Sequence, residues 1–233
     1  MTRRGEDQKM IKTIGLTGAA CTLIATAAAS ADVSGIEIDH LGNMGNGETY
    51  RMYAMVGAGE RVDAVFGNSV GPMSIDTAAG MSFYQNPLGG NTSQAINSSF
   101  FPLAPSLEWD SYVTIGALYA NGSPFAGNAM MDIGIDWSGF EAGGAIDTAN
   151  GSWFVTPVDA QGGEINGRVL IGQFTVVGGT GNGYEDLVGC MSFQGKDADG
   201  NTFQNLNVCI EVPAPGALAL LGLAGIAGRR RRR

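Results

Sequence analysis

An all-β body, folded as a β-sandwich or jelly roll, is what this sequence predicts between residues 32 and 211. Three observations carry the prediction. Apolar and polar residues alternate over short runs, clusters of Gly, Asn, Asp, Ser and Pro separate those runs, and no long stretch shows helical periodicity or a fixed repeat. With 37 glycines in 233 residues, the chain is well supplied with residues that close tight turns. The length allows one domain with a real core, or at most two small ones.

In chain order, Ile36, Ile38 and His40 alternate with Glu37 and Asp39. Tyr50, Met52, Ala54 and Val56 share one face, with Arg51 and Tyr53 on the other. Val62, Ala64 and Phe66 are expected to face away from Arg61 and Asp63. Trp109, Val113 and Ile115 are expected on one side of a strand around 110–115. Met131, Ile133, Ile135 and Trp137 form the cleanest stripe, opposite Asp132, Gly134 and Asp136. Val169 to Val177 is apolar on both faces and predicts a central strand. Gly42-Asn43, Asn121-Gly122 and Asn150-Gly151 supply turn chemistry between the runs.

The last hairpin can be placed more closely. Cys190 and Cys209 are equidistant from Asp199-Gly200, a strong turn dipeptide, so a hairpin centred there sets them opposite one another. A four-residue loop over 198–201 puts the pair at a non-hydrogen-bonded site, where side chains approach most closely. Once a signal segment carrying Cys21 is removed they are the only cysteines left, and export makes their disulfide the expected state, worth about 3 kcal/mol.

Charge excludes one class of partner. Between Asp32 and Glu211 lie only Arg51, Arg61, Arg168 and Lys196 against twenty carboxylates, a net of −16. Such a body repels phosphate backbones, and no nucleic-acid partner is expected.

Both ends look like addresses. Lys9 and Lys12 precede an apolar run from Ile14 to Ala28, and Ala29-Ser30-Ala31 forms a small-x-small cleavage site. Residues 1–31 therefore have the layout of a secretory signal peptide cut between Ala31 and Asp32, with Met1 or Met10 as its start. At the other end, Val212-Pro213-Ala214-Pro215-Gly216 leads into an apolar stretch over 217–228 and then Arg229, Arg230, Arg231, Arg232 and Arg233. The prolines keep the motif extended and outside the helix. The arginines favour the cytoplasmic side, which puts the body outside. This motif–helix–basic-cluster order over 212–233 resembles the PEP-CTERM sorting signal, with Ala214 where the commonest form carries Glu. The resemblance implies a transmembrane sorting helix, an exosortase-like processing enzyme and the secretion machinery as partners, and export alongside exopolysaccharide into biofilm or sheath material.

Catalytic motifs are sparse. His40 is the only histidine, and the sequence holds no G-x-S-x-G elbow, no H-E-x-x-H and no P-loop. Glu108 with Asp110, or Asp132 with Asp136, are the nearest approach to a glycosidase pair, as same-face neighbours on strands. Asp197, Asp199 and Asn201 offer a weak calcium loop that lacks the EF-hand spacing, and a plain hairpin tip explains the same residues. Trp109, Trp137 and Trp153, with six tyrosines, suit either a sugar-stacking face or core packing, and their apolar neighbours favour the core.

The expected protein is thus an exported, non-enzymatic surface or matrix component, held in the membrane by its tail and then delivered to the cell surface or beyond it. A carbohydrate-binding or calcium-binding module is the alternative, and a glycoside-active enzyme a more distant one. No cofactor is expected unless calcium binds.

Overall fold

The computed structural model describes residues 32–211. The signal segment with Ala29 and Ala31, the motif Val212–Pro215, the apolar stretch and the arginine cluster lie outside the described residues.

Two antiparallel sheets make up the body. In chain order the strands are β1 (Gly35–Asn43), β2 (Glu48–Met55), β3 (Arg61–Gly67), β4 (Met73–Thr77), β5 (Ser82–Phe83), β6 (Tyr112–Val113), β7 (Met131–Ile133), β8 (Ile146–Thr148), β9 (Gly151–Phe154), β10 (Arg168–Val177), β11 (Leu187–Lys196) and β12 (Thr202–Cys209). Four-residue helices α1 (Ser138–Glu141) and α2 (Gly183–Asp186) fill connections. In the first sheet β2 lies between β1 and β10, while β5 and β6 both pair with the far side of β10. In the second, β3 and β4 lie end to end along β11, because Phe66 pairs with Ser192 and Ser74 with Cys190. Strands β9 and β8 run along β3 and β4 in the same way. At the edges, β7 pairs with β9 and β12 with β11.

One core fills the space between the sheets, in a β-sandwich-like arrangement. Tyr50, Met52 and Phe174 enter it from the first sheet, and Val65, Ile75, Trp153 and Phe193 from the second. Burying side chains of this size is the main favourable term in folding, at roughly 1.5–3 kcal/mol each.

The outer face of the first sheet is covered as well. Arg51 and Gln173 are cross-strand partners, as are Thr49 and Thr175, and they alternate with the core residues Tyr50 and Phe174. Residues 84–130 cross this face through three 3₁₀ turns, Ser93–Ala95, Ser98–Phe100 and Pro105–Trp109. Gln173 Nε2 donates to the carbonyls of Glu108 (2.8 Å) and Asp110 (3.2 Å), and Thr175 Oγ1 donates to that of Trp109 (2.6 Å). Ile96, Leu107 and Tyr112 form a second small core beneath the crossing segment. Covered on both faces, β10 is the central strand its sequence predicts.

Several expectations need correction. In β3, Gly195 pairs with Val62 and Gln194 with Ala64, so Asp63 is an extra residue, a β-bulge. The bulge reverses the alternation: Val62 and Val65 are buried, whereas Ala64 and Phe66 are half-buried. Met131 and Ile133 are 44% and 66% exposed, because β7 is a three-residue edge strand that pairs with β9 alone; Ile135 and Trp137 do pack on the core. Trp109 belongs to a 3₁₀ turn rather than a strand, while Val113 and Ile115 reach the main core.

Candidate functional site

The site forms where the crossing segment lifts away from the first sheet. Arg51 and Tyr53 of β2 and Arg168 and Leu170 of β10 make its floor, and Leu118, Pro124 and Phe125 make one wall. The turn at 163–166 closes the other side, leaving a cleft of about 160 Å3 that is open to solvent. Its wall is held from behind. Gln161 Nε2 donates to the Ile115 carbonyl at 2.8 Å, and the Ala129 N–H donates to Gln161 Oε1 at 2.7 Å. Gly116 is needed at this junction, since a Cβ there would lie 1.9 Å from the Gln161 carbonyl oxygen and its φ is +69°.

The cleft concentrates positive charge in a body that has little. Arg168 stacks over the Tyr53 ring at 3.9 Å from its centroid, with Nη1 3.1 Å from Glu37 and Nη2 2.8 Å from Asp39. These carboxylates fix its guanidinium and neutralise it. Arg51 differs: its Nε donates to the neutral Gln173 Oε1 at 3.2 Å, and it is the one arginine among the described residues with no carboxylate within 4 Å. Burial raises the Tyr53 hydroxyl above its ordinary pKa against the pull of both arginines, so it stays a neutral donor and acceptor. A charged fork beside apolar and aromatic surface is binding chemistry.

Two other polar clusters are structural. Asp186, the fully buried last residue of α2, accepts hydrogen bonds from the Tyr50 hydroxyl, from the Thr180 N–H and Oγ1 (both 2.7 Å) and from the Gly181 N–H (3.3 Å). Beside it, His40 Nε2 lies 2.7 Å from Glu48 Oε2, and the Asn43 amide donates to Glu48 Oε1 at 2.9 Å. The second cluster centres on Asp110, which accepts N–H bonds from Asn86 (2.7 Å), Ser111 (3.0 Å) and Gly90 (3.2 Å).

The remaining residues singled out in the sequence fall as follows. Cys190 and Cys209 are paired in a disulfide with a Cα–Cα distance of 3.9 Å. The Ile210 N–H bonds to the Gly189 carbonyl, so the cysteines occupy the adjacent narrow pair, as expected. The loop, however, is five residues over 197–201, and an extra residue near Asn207 (φ 57°) restores the register. At its tip, Asp197 Oδ1 accepts the N–H groups of Asp199 and Asn201, and Oδ2 accepts the Asn201 amide. Among the described residues no group of three or more His, Cys, Asp and Glu comes together as metal ligands. Glu108 lies in a 3₁₀ turn and Asp110 just beyond it, so they are not strand neighbours. Asp132 accepts the Trp137 indole N–H at 2.9 Å, and Asp136 Oδ1 accepts the Ser138 N–H at 3.0 Å. Trp153, Tyr50 and Tyr112 are core residues; Trp109 and Trp137 are half-buried. Sequence reasoning missed the cleft, although two of the body's four cations, Arg51 and Arg168, lie in it.

By fold and site, then, the body is an all-β, sandwich-like domain with a cleft lined by Arg51 and Arg168. Compared with protein-family models, curated proteins and solved structures, the chain matches none of them.

Proposed function

We propose that the chain is an exported, non-enzymatic surface or matrix protein of the exosortase system. In this reading residues 1–31 are removed after Ala31, the apolar stretch over 217–228 and Arg229–Arg233 hold the tail in the membrane, and an exosortase-like enzyme acts at Val212-Pro213-Ala214-Pro215. The acidic body then reaches the cell surface or the extracellular matrix, with no resident cofactor. The disulfide between Cys190 and Cys209 is the observation that carries the proposal, since such bonds persist in oxidising compartments outside the cytoplasm. The cleft favours a second, compatible reading, a module that binds carbohydrate.

Fractionation of the native host tests the proposal. The protein is expected with the exopolysaccharide layer and is released when that layer is digested. A cytoplasmic protein with both thiols reduced would contradict it.

A further inference from the structure

We infer that the cleft takes an acidic sugar, a uronic-acid unit of a polysaccharide, with its carboxylate on Arg51. The inference rests on the carbohydrate-binding reading for the source of the ligand, and on the cleft for its chemistry. A body of net −16 repels a polyanion at long range, so recognition has to come from local groups. Glu37 and Asp39 already satisfy Arg168, and Asp63 satisfies Arg61. Among the described arginines Arg51 alone has no carboxylate within 4 Å: its Nε donates to Gln173 and its guanidinium lies against the Tyr53 and Tyr119 hydroxyls, neutral partners that leave a planar charged fork without a counter-ion.

The rest of the cleft fits the sugar ring. Phe125 and Leu118 offer half-buried apolar surface against which the C–H face of a pyranose can pack. Tyr53 and Asn166 belong to the same lining, and a phenol and an amide are groups that can meet ring hydroxyls. Asn166 is held in place by a two-residue turn in which the Ile165 N–H bonds to the Arg168 carbonyl at 2.9 Å, with φ of 58° at Asn166 and 79° at Gly167. The cleft is open to solvent, so a unit within a longer chain can enter it without an exposed end.

Titration calorimetry on the full chain in detergent micelles, with a short uronic-acid oligomer and its carboxyl-reduced neutral counterpart, tests the inference. The acidic oligomer is expected to bind, and the reduced one to bind about tenfold more weakly or worse, the scale of a lost charged hydrogen bond. R51Q should weaken the acidic oligomer by a similar factor while leaving the reduced one unchanged, and R51K should fall between. F125A, on the cleft wall, should weaken both oligomers and provides a test that is independent of Arg51. No binding by the native chain, equal binding of both oligomers, or native binding by both R51Q and F125A would overturn the inference. Continued co-fractionation with matrix in that event would leave the matrix proposal standing.

Discussion

Asp110 shows how one residue fixes a long segment and ties it to pH. Its carboxylate draws three backbone N–H groups together, and Gly89 must be glycine because a Cβ would lie 1.8 Å from Asp110 Oδ2. Burial pushes the carboxyl up to about 7, against the downward pull of those three bonds. In the unfolded chain the group returns to its ordinary value of 3.8. Between roughly pH 4 and 7 the folded state therefore holds a proton that the unfolded state lacks, and this group makes stability fall as pH rises. Elsewhere the sign is opposite: hydrogen bonds from Asn43 and Asn201 hold Glu48 and Asp197 low, and what they contribute is lost only as pH falls below about 4. Melting curves should show a lower Tm at pH 8 than at pH 5.5, with a shallower slope in Asp110→Asn, which is also less stable throughout. Equal slopes in the two proteins would refute the assignment.

At the scale of elements, the last hairpin is the most constrained part of the body. The disulfide closes a separation of 19 residues and ties β12 to β11 at its last residue, Cys209. Replacing both cysteines with serine should cost about 3 kcal/mol and lower Tm by about 10 °C. An unchanged Tm would show that the hairpin holds without the bond. The symmetry of Cys190 and Cys209 about Asp199-Gly200 was enough to find this pairing from the sequence. It could not reveal that the loop has five residues or that a bulge at Asn207 compensates, because two register shifts cancel at the cysteines. The same limit explains β3. A period-two pattern assumes an unbroken ladder, and Asp63 breaks it. The stripe from Met131 looked like core because periodicity reports which residues share a face, not whether that face is covered. The cleft was hidden for a related reason. It joins β2 and β10 to a segment held by side chain–backbone bonds such as that from Gln173 to Glu108, and such bonds leave no periodic trace.

At the scale of the whole molecule, charge and architecture support one account. Most of the twenty carboxylates lie at the surface, with Glu60, Asp63, Asp110 and Asp186 buried, while the few cations are used in particular places: Arg168 and Arg61 in ion pairs, Arg51 in the cleft. Among the described residues no helix is long and apolar enough to cross a membrane, and the proposed membrane segment lies at 217–228, outside them. Mass spectrometry of both termini, on protein recovered from the medium and cell surface of the native host, tests the account most directly. The account predicts a start at Asp32 and an end between Pro213 and Gly216. A cytoplasmic chain that begins at Met1 or Met10 and ends at Arg233 would contradict it.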